Sequence, residues 1–299
     1  MSDSTSDGFR RIVAAGAGRD GLQEVEICAA ILELAGVELP RVLYMGTATY
    51  DLPEPREGQT AKLRRLGCRI EELPLASATP TWDEMKERFE RADVILASGG
   101  NTLYAVDRWR RLGVDRLLRK AVGRGAVLCG GSAGAICWFD GGHSDSMDPR
   151  SFKRHKLAQD APTPTEADVT GWEYIRVPGL GIVPGLCCPH YDRTQSNGVP
   201  RAIDFQRMML RHPGETGIAI DHFAALVIDG GDYRVVSANE PGSVEGRPCV
   251  RRVTVVDGAV RAEVVPPEGE VARIVQEADV IIEDPRLVAA RAANPDNLP

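Results

Sequence analysis

The feature that most constrains the fold is an alternation of short apolar runs with amphipathic stretches in the first half of the chain. Short apolar runs bounded by glycine favour buried strands, so the alternation predicts βαβ units and a parallel sheet. Right-handed crossovers bring the carboxyl ends of such strands to one edge, where functional loops lie. The predicted strands are 11–16, 41–46, 68–75, 93–100 and 126–131, and the amphipathic stretches are 22–35, 55–66, 81–92 and 103–123.

The pattern changes after residue 139. Residues 139–180 are polar and contain several prolines, which predicts a long loop or lid. Beyond a helix near 199–211, further apolar runs separated by Gly and Asp predict antiparallel strands that close the fold. We therefore expect one domain over 1–299, with its core at about 10–240 and a C-terminal β extension and tail at 241–299.

Charge narrows the choice of partners. The chain carries a net charge of −7 and a pI near 5.4, which disfavours binding to nucleic acid or to an anionic membrane surface. The N-terminal stretch has no long apolar segment, and no run of about 18 apolar residues occurs. We expect a cytoplasmic protein whose partner is a small molecule, and the sequence leaves a homodimer open.

The seven cysteines lack CxxC spacing and mostly lie in apolar runs. This pattern is typical of buried thiols in a reducing compartment, and it predicts neither disulfides nor a metal site. For the adjacent pair Cys187 and Cys188, packing within a strand is favoured over redox chemistry.

The segment GAGRDG at 16–21 fits the dinucleotide fingerprint G-x-G-x-x-G and follows the first predicted strand. A dinucleotide site also needs an acidic residue at the end of the second strand, and that strand ends in MGTAT. The favoured interpretation is a tight strand-to-helix turn, so no cofactor is predicted.

A serine stands in GGSAG at 130–134, between the apolar run AVLC and a candidate helix. This strand–turn–helix context is typical of a nucleophile elbow, with Ser132 as nucleophile and the backbone N–H of Ala133 as an oxyanion donor. The glycines of SGGNT at 98–102 supply a second donor at a neighbouring strand end. Asn101 or Thr102 also fits a simple helix N-cap there, and both interpretations hold together.

A nucleophilic serine needs a general base, and the chain has five histidines. His190 in CCPHYD directly follows an apolar strand, which places it at the functional edge of the sheet. His143 and His222 are weaker candidates, whereas His155 lies in a charged loop and His212 fits a helix end.

The segments SGGNT, GGSAGAICW, HSDS and PHYD, in this order, resemble the peptidase E family of serine peptidases, which includes aspartyl dipeptidases and cyanophycinases. The resemblance implies a fold like that of class I glutamine amidotransferases: a three-layer α/β sandwich with a mostly parallel central sheet. It implies Ser132 as nucleophile, His190 as base, and the backbone of Gly100 and Ala133 as oxyanion hole.

The third member of the triad is less well defined by the resemblance. In the dipeptidases an acid on the loop after the elbow fills this role, which implies Asp145 in HSDS. In the cyanophycinases a glutamate follows a GID stretch, and in GIAIDHFAA that place is held by His222, with Asp221 beside it as the reserve acid.

The implied reaction is hydrolysis of short peptides by acyl transfer, as in a dipeptidase with a preference for N-terminal aspartate. Substrate-binding candidates are Arg193, Arg201, Arg207 and Asn101, although Asp204 stands where the family places its first arginine. The alternatives are a cyanophycinase-like or other amide hydrolase, a catalytically silent binding protein, and a nucleotide-dependent enzyme that uses residues 16–21.

Overall fold

The first half of the chain builds a parallel sheet from the predicted apolar runs. The computed structural model describes residues 10–158, 163–242 and 246–293. Parallel pairing joins the first five strands in the order β1-β5-β4-β2-β3. These strands are β1 (Arg11–Ala15), β2 (Arg41–Met45), β3 (Arg69–Glu72), β4 (Val94–Ala97) and β5 (Val127–Gly131).

The five helices between and beside these strands begin and end at recognisable signals. Thr81 and Glu84 form a reciprocal capping box at the start of α3, and Asn101 caps α4 through its side chain. Gly36 and Gly113 take left-handed conformations just after α1 and α4. The helices are α1 (Val25–Ala35), α2 (Pro53–Arg65), α3 (Trp82–Arg91), α4 (Thr102–Leu112) and α5 (Val114–Gly123).

In four of the five parallel strands alternate residues enter two separate apolar clusters, whereas the edge strand β3 is partly exposed. In β1, Ile12 packs in the cluster that holds Phe89 of α3 and Trp109 of α4. Its neighbour Val13 points to the opposite face, in the cluster that holds Ile31 of α1. Helices therefore cover both faces of the parallel strands, which explains why these strands read as continuous apolar runs.

The second half of the chain forms more sheet than the sequence predicts. Within the described residues, β10, β11 and β14 extend the first sheet antiparallel beyond β1, to eight strands. A separate six-stranded sheet has the order β13-β12-β9-β8-β6-β7. The strands are β6 (Phe139–Ser144), β7 (Ile175–Pro178), β8 (Val183–Cys188), β9 (Gly217–Ile220), β10 (Ala224–Asp229), β11 (Asp232–Ser237), β12 (Val250–Val256), β13 (Ala259–Val264) and β14 (Glu268–Glu270).

The stretch 139–180, predicted as a long loop, begins and ends in strands of this second sheet. The sequence FDGGHS of β6 does not predict a strand, because it is polar and glycine-rich. Its glycines allow close packing instead: a Cβ on Gly142 would lie 2.3 Å from the carbonyl oxygen of Cys187. Residues 159–162 of the predicted loop lie outside the described residues, as do 243–245 and the tail residues 294–299. The remaining helices are α6 (Ala133–Ile136), α7 (Lys153–Leu157), α8 (Glu166–Thr170), α9 (Arg201–Arg211) and α10 (Pro285–Ala293).

Among the residues that the structure describes, no helix combines the length and the apolar character needed to cross a membrane. All seven cysteines lie within the described residues, and they are buried and form no disulfide there. In particular, burial raises the pKa of the Cys188 thiol to about 12, which suits a packing role.

Candidate active site

Ser132 occupies a strained turn between β5 and α6. Its backbone has φ 56° and ψ −120°, a conformation that residues other than glycine rarely adopt. Such a conformation costs about 1–3 kcal/mol and persists only where the surroundings impose it. The surroundings here are crowded: a Cβ on Gly134 would lie 2.2 Å from the carbonyl oxygen of Ala97. The close packing of the turn against β4 therefore holds the serine in its strained conformation.

Two backbone N–H groups lie free beside this turn. Ala133 is the first residue of α6, and Gly100 follows β4 with a φ of 131°. The preceding residue, Gly99, packs next to Ser132, since a Cβ built on it would lie 3.6 Å from the Cβ of Ser132. Within the described part of the chain, neither the N–H of Gly100 nor that of Ala133 donates a hydrogen bond. Both are available to bind a developing negative charge, and their role as the oxyanion hole stays a prediction.

His190 follows β8 and meets Ser132 at the end of β1. The backbone N–H of Ser132 donates to the carbonyl of Ala15, and that of His190 donates to the carbonyl of Gly16, both at 3.1 Å. The two candidate residues are thus attached to consecutive peptide units of one strand end. Between the described residues, no hydrogen bond joins Ser132 Oγ to the His190 ring. Such bonds are often long in the absence of substrate and shorten in the reacting complex.

The ring of His190 contacts a second histidine. His190 Nδ1 lies 2.8 Å from Nδ1 of His222, and His222 Nε2 lies 2.9 Å from Oδ2 of Asp20. Burial of the ring lowers the pKa of His190 well below its ordinary value, and the positive charges of Arg201 and Arg193 add to this effect. His190 is therefore neutral at neutral pH, the form that a general base needs.

Asp145, the predicted orienting acid, lines a surface groove together with His190. Its carboxylate, however, pairs with another residue. Its Oδ2 accepts a hydrogen bond from Arg201 Nη1 at 3.1 Å. The Arg201 side chain is fully buried and also donates to the carbonyl of His143 at 2.6 Å. No hydrogen bond between Asp145 and His190 occurs among the described side chains, so its role as the orienting acid stays a prediction.

The reserve acid, Asp221, has a structural environment. It is fully buried, pairs with Arg251 at 2.8 Å and accepts the backbone N–H of Cys249 at 3.0 Å. These contacts attach the end of β9 to β12. The other weaker histidine candidate, His143, is also buried; its Nε2 lies 3.1 Å from Oδ1 of Asp204, and burial lowers its pKa to about 4.

The four predicted substrate-binding residues lie in different environments. Arg193 lines the groove, with its guanidinium 5.5 Å from the ring centre of Phe223. Arg201 is buried behind Asp145, and Arg207 lies on an exposed position of α9. Asn101 is buried and caps α4 by accepting the N–H of Tyr104. The groove is lined by Asp20, Asp145, His190, Arg193, Thr194, Gln195, His222 and Phe223.

The contact between His222 and Asp20 is the part of the site that sequence reasoning missed. From the sequence, Asp20 has no predicted role beyond its place in the glycine-rich segment 16–21. It lies 202 residues from His222 along the chain. The one available signal was the position of His222 after the GIAID stretch. Within the described residues, no group of three or more His, Cys, Asp or Glu side chains is arranged to hold a metal ion.

Comparison with known proteins finds relatives that cover most of the chain. A Trypanosoma brucei brucei protein named G2/mitotic-specific cyclin-1 is 29% identical over 93% of this chain and 92% of its own. The uncharacterized peptidase YgaJ of Bacillus subtilis is 29% identical over 62% of this chain and 70% of its own. Among solved structures, a putative peptidase E protein from Listeria monocytogenes has a TM-score of 0.53 at 18% identity, covering 76% of this chain and 98% of its own.

A second solved structure, of a peptidase from an acI-B1 Actinobacterium, also has a TM-score of 0.53, at 17% identity over 93% of this chain and 98% of its own. At these identities the two structures establish a shared fold. The family model for peptidase family S51 matches residues 12–236, which include the turn at Ser132 and the segment around His190. The chain belongs to peptidase family S51, the peptidase E family.

Proposed function

We propose that this protein is a serine peptidase that hydrolyses short peptides through an acyl-enzyme on Ser132. The observation that carries the proposal is the strained backbone of Ser132, which stands between a strand and a helix beside two unused N–H groups. Strain of this kind is maintained at functional sites, because it exposes the side-chain oxygen at the edge of the sheet.

In the proposed reaction His190 accepts the proton of Ser132 Oγ as the oxygen attacks the substrate carbonyl carbon. The oxyanion then binds the N–H groups of Gly100 and Ala133, at the start of α6. Protonated His190 gives its proton to the leaving amine, and the C–N bond breaks. Water, activated by the same histidine, hydrolyses the ester and restores Ser132.

A cation in the groove suits a small substrate that carries a carboxylate, such as a dipeptide. Arg193 lies 3.7 Å from a carboxylate oxygen of Asp192, but its side chain is 44% exposed and offers a cation for a substrate carboxylate. Arg201 is neutralised by Asp145, which weakens the case for strong selection of N-terminal aspartate. We propose a dipeptidase in which Arg193 supplies a modest preference for an acidic residue.

Two other functions are open to experiment. A cyanophycinase-like or other amide hydrolase would use the same serine on a different amide. A catalytically silent binding protein would match the non-enzymatic name of the trypanosomal relative, but it would have no need for a strained serine at this turn.

The test is a dipeptide panel with acidic, neutral and basic N-terminal residues, assayed for release of the free N-terminal amino acid. Ser132→Ala is expected to reduce turnover by about 10⁴-fold or more with an unchanged melting temperature. A serine-directed fluorophosphonate should label the wild-type protein and not the variant. Turnover that survives in pure Ser132→Ala protein refutes the proposal, and turnover of amides other than dipeptides moves it to the alternative hydrolase.

A further inference from the structure

His222 is held in place from three sides. Its backbone N–H donates to Oδ1 of Asp192 at 2.7 Å, which ties it to the loop that follows His190. Its ring contacts His190 through Nδ1 and Asp20 through Nε2, and it packs edge-on against Phe223. The side chain of His222 is only 14% exposed, whereas that of Asp20 is 58% exposed. The ring is therefore fixed between the half-buried His190 and a carboxylate at the surface.

The carboxylate determines which ring nitrogens carry protons. An ionised carboxylate can only accept hydrogen bonds, so His222 Nε2 must carry a proton toward Asp20. A neutral imidazole with Nε2–H has a lone pair on Nδ1, and this lone pair accepts the Nδ1–H of His190. His190 then has its own lone pair on Nε2, the nitrogen that is free to take the proton of Ser132.

We propose that His222 and Asp20 form a positioning pair, which fixes the tautomer and orientation of His190 and stabilises it when protonated. This inference rests on the proposed function. The proton moves from Ser132 Oγ to His190 Nε2, while His190 Nδ1–H stays bonded to His222 and Asp20 stays ionised. The pair does the work that an acid does when it bonds a catalytic histidine directly, with one imidazole inserted between them.

The charges around His190 make such a pair useful. Positive charge on Arg201, His222 or Arg193 disfavours the protonated ring, and Asp145 is already paired with Arg201. Asp192 is bonded to the backbone of His222. Among the carboxylates that the structure describes, Asp20 is therefore the one that reaches the ring of His190 through a continuous line of hydrogen bonds.

The first experiment compares Asp20→Ala with Glu54→Ala in the dipeptide assay. Glu54 is a matched control, because it is an exposed carboxylate paired with neighbouring Arg19. Asp20→Ala should lower kcat by about 10–100-fold with little change in KM, and Glu54→Ala should change neither. The acid limb of kcat/KM should move to lower pH in Asp20→Ala, because no carboxylate then stabilises the imidazolium. A purely structural role for Asp20 would leave that limb in place.

The second experiment tests the link with a double-mutant cycle. His222→Glu puts a carboxylate directly beside His190 Nδ1, so Asp20→Ala should cost less than twofold in that background. The His222→Glu variant should also keep more activity than His222→Ala, and melting temperatures identify any variant that fails to fold. If Asp20→Ala keeps kcat within twofold of wild type while Ser132→Ala is inactive, the positioning pair is refuted and the peptidase proposal stands. If Ser132→Ala keeps full activity, the peptidase proposal itself fails.

Discussion

Replacement of Ser132 by glycine should make the protein more stable, although it removes the proposed nucleophile. The backbone of Ser132 has φ 56° and ψ −120°, which glycine adopts without the steric cost that a Cβ imposes. Ser132 Oγ has no hydrogen bond among the described residues, so neither Ser132→Ala nor Ser132→Gly loses one. The two variants therefore differ mainly in backbone strain and in the freedom of the unfolded chain.

The size of the effect follows from two opposing terms. Relief of strain at one such residue is worth about 1–3 kcal/mol. Glycine gives back about 0.5–1 kcal/mol, because it adds conformational freedom to the unfolded chain. The net expectation is that Ser132→Gly is about 1 kcal/mol more stable than Ser132→Ala. In a chain of 299 residues this corresponds to a rise in Tm of roughly 2 °C.

The assay is thermal and urea unfolding of wild type, Ser132→Ala and Ser132→Gly under one set of conditions. Ala289→Gly is the matched control, because Ala289 is exposed within α10 and the same chemical change there should cost about 1 kcal/mol. Opposite signs at the two positions would establish that the turn at Ser132 is strained. A Ser132→Gly protein that is equal to or less stable than Ser132→Ala refutes the strain, and with it the main support for the nucleophile.

Two further predictions concern the base and the packing of the turn. The kcat/KM of the wild type should rise with pH through an apparent pKa below 6.5, because only neutral His190 accepts a proton. Burial and neighbouring cations lower the pKa of His190 below its ordinary value. A rise in kcat/KM with an apparent pKa at or above 6.5 would contradict this environment. Gly134→Ala should lower the free energy of unfolding by about 3 kcal/mol or more, because its Cβ would lie 2.2 Å from a backbone oxygen. The control Gly123→Ala, at an exposed and open position of α5, should be neutral or stabilising. Equal effects of the two variants would mean that the turn at Ser132 has room to relax.

The parallel half of the fold was predictable because its signal is local. Four of the five predicted strands are buried on both faces, so their apolar composition alone marks them as strands, whereas the edge strand β3 is partly exposed. The second sheet carries no such signal in β6, whose sequence FDGGHS is nonetheless largely buried. Its glycines lie under neighbouring backbone and its histidine bonds Asp204, so burial there depends on partners that are distant in sequence.

The same difference separates the predicted from the unpredicted parts of the site. Ser132 directly follows β5 of the first sheet, and His190 comes two residues after β8 of the second sheet, so each is marked in the sequence by the apolar strand before it. Which residue contacts the ring of His190 depends on side-chain directions, and these cannot be inferred from residue spacing in the sequence. Asp145 lines the groove, but its carboxylate is hydrogen-bonded to the buried guanidinium of Arg201. Asp20, in the loop after β1, contacts His222 instead, although the two residues lie far apart in the sequence.

That loop also explains the segment at 16–21 that mimics a dinucleotide fingerprint. A Cβ on Gly16 would lie 1.9 Å from the carbonyl oxygen of Asp221. Only glycine therefore allows the backbone after β1 to pack this closely against Asp221, the residue before His222. The carbonyl of Gly16 in turn accepts the backbone N–H of His190. Four residues later the same loop presents Asp20 to His222. The glycine-rich segment thus serves packing, and this packing brings the base and its proposed positioning pair together at the end of one strand.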